Sequence, residues 1–233
     1  MIIITGTSRG IGKELALLYL AQGKHVIGIS RTTSIEHENY THLTCDLSDP
    51  KQVEKLELPI SKHELIFIHN AGVLGEINRF SAQKEGIVNL NKVLQVNLYA
   101  GATIVEQLLS KTKKEQPFTV VFVSSGAGKR PIPSWSAYCA SKAAVDIWLS
   151  TLQLEELENG RSDFRCLAIA PGVVDTEMQT TIRAAQKDAF SSSDHFSNLK
   201  ETGQLLAPKT VAKKISQRIN EPSFDKVVCS ITD

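Results

Sequence analysis

The chain has 233 residues, of which 42% are hydrophobic, 22% charged and only 6% aromatic. That length holds one large domain or two small ones, and the apolar share is ample for a buried core, which excludes wholesale disorder. The 26 Lys and Arg against 25 Asp and Glu leave a formal net charge of +1, too little for the basic field that non-specific nucleic-acid binding demands.

A short apolar run at 2–5 reads as a first strand and leads directly into Thr5-Gly6-Thr7-Ser8-Arg9-Gly10-Ile11-Gly12. Neither a basic leader nor a long apolar stretch precedes it, so the expectation is a cytoplasmic protein that does not enter a membrane. Glycines between a strand and a helix let the backbone approach a pyrophosphate, and the new helix points free N–H groups at that anion. A helix over 11–22 and a strand over 26–30 follow. Arg31 then stands where an acidic residue would hold the ribose 2′-OH of NAD. With Arg9 in the glycine turn, two guanidinium groups flank one phosphate, which favours NADP(H).

A strand at 42–45, a helix at 50–56, a strand at 65–69 and a helix at 88–111 continue the alternation. The last of these carries Asn97, expected to hold a water that links Lys142 to solvent. The strand at 119–124 delivers Ser125, whose hydroxyl is placed to polarise a substrate oxygen. The helix at 137–158 opens with Tyr138-Cys139-Ala140-Ser141-Lys142. Positions i and i+4 share a helix face, so a nearby ammonium favours the phenolate and tunes the tyrosine for proton transfer. A strand at 165–170, a long segment at 176–207, a helix at 208–219 and a strand at 226–230 complete the chain. Strands that are apolar throughout, alternating with helices, predict a three-layer α/β/α fold. The expected architecture is a doubly wound, Rossmann-type parallel sheet in a single domain spanning 1–233. The 176–207 segment, with Met178, Ile182, Phe190 and Phe196, reads as a loop-like lid over the site. The four cysteines and six histidines are scattered, without metal-ligand spacing, and each histidine reads as a surface or satisfied structural residue.

Thr5-Gly6-x-x-x-Gly10-x-Gly12, Asp46-Leu47, Asn70-Ala71-Gly72, Asn97, Ser125, Tyr138-x-x-x-Lys142 and Pro171-Gly172-Val173-Val174-Asp175-Thr176 occur in this order. Together they resemble the short-chain dehydrogenase/reductase family over essentially the whole chain. The resemblance implies a dinucleotide site at Gly6, Ser8, Arg9, Gly10, Ile11, Gly12 and Arg31, with Asp46 beside the adenine. It implies Asn70, Ala71 and Gly72 behind the adenosine ribose, and Lys142 on the nicotinamide ribose. Pro171, Gly172, Val174 and Thr176 fall against the nicotinamide side. His69 stands where the family often has asparagine.

Ser124–Pro131 with Trp135, 171–178 and 199–206 are similar to the sepiapterin reductase and benzil reductase branch. That likeness implies NADPH-dependent reduction of one carbonyl of a vicinal dicarbonyl, with Trp135, Met178 and Phe196 as apolar walls. A 3-oxoacyl thioester or steroid reductase, or a non-catalytic NADP(H)-sensing protein, are the alternatives. Relatives commonly pair through the two long helices. With the chain ending just after its last strand, a homodimer or monomer is expected over a tetramer, with a small-molecule carbonyl substrate and neither metal, nucleic-acid nor membrane partners.

Overall fold

The structure is a computed structural model, and it describes residues 1–221 and 226–232. Seven parallel strands form one sheet: β1 (Ile2–Thr5), β2 (Val26–Ser30), β3 (Tyr40–Thr44), β4 (Leu65–His69), β5 (Phe118–Val123), β6 (Phe164–Ala170) and β7 (Val228–Ser230). Their spatial order is β3-β2-β1-β4-β5-β6-β7, so the chain reverses its direction of travel across the sheet between β1 and β4. Sheets of this kind bind ligands at such a switch point, beyond the carboxyl ends of the strands.

The helices are α1 (Gly10–Ala21), α2 (Pro50–Glu54), α3 (Gly86–Leu94), α4 (Ala100–Lys111), α5 (Ser136–Glu158), α6 (Glu177–Arg183), α7 (Ser193–Glu201) and α8 (Pro208–Asn220). Side chains alternate across each strand, so β1 sends Ile3 to one face and Ile2 and Ile4 to the other. One face packs Ile3, Phe67 and Val120 against Ile104 and Leu108 of α4 and Val145 and Leu149 of α5. The opposite face packs Ile2, Ile4, Ile68 and Leu167 against Leu15 and Tyr19 of α1 and Ile215 of α8. Among the described residues no helix is long and apolar enough to cross a membrane.

Three expectations need correction. The helix expected over 88–111 is not regular: α3 passes into a π turn at Gln95–Tyr99 before α4 continues. Strand β3 is an edge strand, half-exposed, which weakens its sequence pattern and moves it to Tyr40–Thr44 from the expected 42–45. The 176–207 segment is not a loop. It folds as α6 and α7, tied to the body by a β-bridge between Val174 and Leu206. Phe190, between those helices, is fully buried. Both are short and polar on one side, so neither gives the long periodicity that marks a helix in sequence.

Candidate active site

The carboxyl ends of β1, β4, β5 and β6 open on a cavity of about 1110 Å³ that runs from the glycine turn to α6 and α7. Its first end is backbone. Gly6 and Gly10 hold φ of +73° and +59°, the left-handed region that side chains rarely adopt. Arg9 stands at the N-cap of α1 with no side-chain cap, and the first turn of α1 carries no acidic residue. The leading N–H groups are therefore open to an anion, reinforced by the helix dipole. Gly6, Ser8, Arg9, Gly10 and Ile11 line the cavity.

Gly12 does not reach it. A Cβ there would lie 2.3 Å from the Gly6 carbonyl oxygen and 2.4 Å from Asn70 Nδ2. Its role is close packing of the turn against the Asn70 strand end, rather than the direct cofactor contact expected. Across the gap, Thr176 Cγ2 lies 3.5 Å from where a Gly10 Cβ would stand. Pro171, Gly172, Val174 and Thr176 form that facing wall. A side-chain-free backbone cradle with unpaired N–H donors on one side and a tight wall on the other fits a nicotinamide dinucleotide.

Farther along the same cavity, Asp46 accepts from the Ser48 amide at 2.9 Å and its hydroxyl at 2.8 Å. Those two bonds hold the carboxyl below its ordinary range, and the Arg31 and Lys92 charges add to the effect. Arg31 lines the cavity as expected, and Lys92 of α3, which the sequence did not single out, lines it too. Arg9 is engaged: its guanidinium forms an ion pair with Glu177 of α6.

Asn70, Ala71 and Gly72 follow β4 and line the cavity. Asn70 Nδ2 donates to the carbonyls of Thr5 and Gly6, both at 3.2 Å. The Thr5 hydroxyl accepts from the amides of Asn70 and Ala71, both at 3.1 Å. Having accepted twice, it gives its own proton to His69 Nδ1 at 3.0 Å. Nε2 of His69 therefore carries the ring proton and donates to the Val96 carbonyl at 2.9 Å. His69 is a buried bridge between β1 and the π turn. Its residue type alone gave no signal of this; the pointer was a polar side chain ending an apolar strand.

Asn97 is wholly buried and does not line the cavity. Its side chain accepts from the Val73 amide at 2.8 Å, donates to the Val73 carbonyl at 3.0 Å and donates to Ser141 Oγ at 2.9 Å. With its amide so occupied, it ties the π turn to α5 and to the segment after Gly72, and the water-holding role expected of that side chain is not supported.

The reactive end is set by side chains. Tyr138 and Lys142 share one face of α5, with the Lys142 ammonium 5.6 Å from the Tyr138 ring centroid. Lys142 Nζ donates to the Val123 carbonyl at 2.7 Å. Ser125, just beyond β5, accepts from the Ala127 amide at 3.2 Å and lines the cavity with Tyr138. Burial pushes that phenol up to about 12 against the downward pull of Ser125. Lys142 is pushed down to about 8 by burial, partly offset by the Asp146 charge. At both groups burial is the largest influence, and it favours the neutral form of each.

Trp135, Met178 and Phe196 all line this end of the cavity. The Trp135 ring stacks on Phe190 and Phe196, each with centroids at 5.4 Å, and meets Tyr138 edge-on at 5.7 Å.

A parallel sheet with a glycine cradle at its switch point, and a Ser, Tyr and Lys set beside it, defines a dinucleotide-dependent oxidoreductase. The short chain dehydrogenase family model matches residues 1–187. The chain is 36% identical over 220 residues to a benzil reductase ((S)-benzoin forming) of Bacillus subtilis, covering 90% of this chain and 89% of that one. It is 28% identical over 252 residues to sepiapterin reductase of Meriones unguiculatus, covering 95% and 92%. Among solved structures, the YIR035C short chain dehydrogenase/reductase from Saccharomyces cerevisiae superposes with a TM-score of 0.84 at 27% identity, covering 100% and 96%. The chain belongs to the short chain dehydrogenase family, near its benzil and sepiapterin reductase members, and is an oxidoreductase acting between CH–OH and C=O with a nicotinamide cofactor.

Proposed function

We propose that this protein is an NADPH-dependent carbonyl reductase acting on one carbonyl of a vicinal dicarbonyl of the benzil or sepiapterin kind. The observation that carries the reading is the placing of Tyr138, Ser125 and Lys142 beside an aromatic wall, in the same cavity as the glycine cradle. When bound, a reduced nicotinamide supplies the hydride for the carbonyl carbon. Tyr138 gives its phenolic proton to the carbonyl oxygen, and Ser125 holds that oxygen by hydrogen bond. Lys142 presents its ammonium to the cofactor ribose and stabilises negative charge left on the phenol. Trp135, Phe196 and Met178 exclude water and take up apolar substrate surface, with α6 and α7 serving as the lid.

Arg31, with Lys92 beside it, supports NADPH over NADH, since a 2′-phosphate gains charge-assisted bonds there. Cofactor oxidation measured with NADPH and NADH against benzil, sepiapterin, a 3-oxoacyl thioester and a steroid ketone tests the reading. NADPH with a dicarbonyl is expected to turn over fastest; tight NADPH binding without turnover of any carbonyl would overturn it.

A homodimer is proposed through α4 and α5, with Tyr99 exposed at the end of the π turn before α4 and Ile147, Leu154 and Leu157 exposed on α5. An apolar groove of about 520 Å³ lies on this face beside Tyr99 and Trp148. Sedimentation velocity reads the outcome, and a monomer at micromolar concentration counts against it. The free thiols of Cys45, Cys139 and Cys166 support a reducing, cytoplasmic location, which cell fractionation checks.

A further inference from the structure

Three successive turns of α5 reach three successive residues at the end of β5. Tyr138 faces Ser125, Lys142 Nζ bonds the Val123 carbonyl at 2.7 Å, and Asp146 accepts from Ser124 Oγ at 2.5 Å. The spacing i, i+4, i+8 keeps all three on one face of the helix. Asp146 and Ser124 are both buried, and neither has a part in the proton transfer. The 126–128 turn is pressed onto the same place: a Cβ at Gly128 would stand 2.9 Å from Asp146 Oδ2 and 3.0 Å from the Lys142 backbone.

A buried carboxylate is costly unless it is bonded and charge-compensated. Here the Ser124 hydroxyl meets it from just past β5, Lys129 faces it from beyond the 126–128 turn, and Lys142 faces it from α5 itself. The group thus bonds the serine segment and lies one helix turn from the lysine.

We propose that Asp146 is a positioning residue for the reduction: through Ser124 it fixes the Ser125 segment against α5, and from one turn along the same helix face it sets a carboxylate beside Lys142. The inference rests on the carbonyl-reductase reading, and two variants separate its parts. Asp146→Asn keeps the shape and the acceptor for Ser124 but removes the charge. Ser124→Ala keeps the charge but removes the tether.

For Asp146→Asn, the alkaline limb of the kcat profile is expected to move about one pH unit lower, since an opposite charge one helix turn away favours the ammonium. For Ser124→Ala, kcat is expected to fall about tenfold with KM for NADPH and the alkaline limb unmoved, which is about 1.4 kcal/mol of lost positioning. In the cofactor-free chain, amide exchange at 125–128 should quicken in Ser124→Ala and stay slow in Asp146→Asn, with α5 protected in both.

Unchanged kcat and an unmoved limb in both folded variants, with only a lower melting temperature, would make the pair structural and overturn the proposal. Should Ser124→Ala not fold, the near-isosteric Asp146→Asn decides through its limb. A wild-type chain that turns over no carbonyl would defeat the functional reading. The exchange measurement would still support or overturn the tether, so the two failures are told apart.

Discussion

The two ends of the cavity are built by different means. At the glycine turn the binding groups are backbone: N–H groups at the start of α1 and a left-handed Gly6 and Gly10, with Gly12 packing the turn from behind. At the far end they are side chains, Tyr138, Ser125 and Lys142 against a stacked Trp135, Phe190 and Phe196. A backbone site tolerates almost no added atom, yet binds any ligand with the right phosphates. A side-chain site tolerates change in its walls, which is where substrate choice resides, but fails if its one acid is removed.

The largest break is expected from Tyr138→Phe. Losing the general acid should lower kcat by about 10²–10⁴-fold while the dissociation constant for NADPH, read by fluorescence titration, stays within a factor of a few. Equal losses in kcat and in cofactor binding would erase the contrast between the two ends.

Gly12→Ala should do the reverse. The new methyl would stand 2.3 Å from a carbonyl oxygen of the backbone, so the turn must shift. Overpacking of this kind costs about 1–3 kcal/mol, read as a lower melting temperature together with weaker NADPH binding. A variant as stable as the wild type with unchanged affinity would mean that the turn yields without harm.

The backbone end was the more legible in sequence. Strands β1, β2 and β4 fall on the expected residues because an apolar run bounded by turn residues leaves little choice. The glycine turn was legible for the same reason, since only glycine supplies those dihedral angles. What stayed hidden depends on contacts distant in sequence. Gly12 looks like a binding glycine until Asn70 is seen to fill the space beside it. Asn97 looks solvent-linked until Val73 and Ser141 occupy its amide. The helices α6 and α7 gain their apolar partners, Trp135 and Leu74, only once the chain has folded back.

His69 lies between the two ends, and its effect is one of sign: the loss of stability it brings grows with each pH unit toward acid and vanishes above neutrality. Its neutral ring accepts from Thr5 and donates to Val96, and burial pushes its pKa from 6.5 down to about 3. A second ring proton would have to point at a Thr5 oxygen that already accepts two amides. The unfolded chain takes up that proton below about pH 6.5, whereas the folded chain refuses it until about 3. In that window the unfolded state binds more protons, so stability falls as the pH falls, by about 1.4 kcal/mol per unit from this one group. Above pH 6.5 the contribution is complete and flat. Carboxylates titrate in the same window, so the measurement is a difference: urea unfolding of wild type and His69→Asn at several values between pH 4 and pH 7, about where the two pKa values bracket the effect. The gap between the two proteins should narrow steadily toward the acid side, because the variant has no ring to titrate. A gap that does not change with pH would mean that His69 takes its proton in the folded chain. The bridge from the first strand to the π turn would then not depend on the neutral ring.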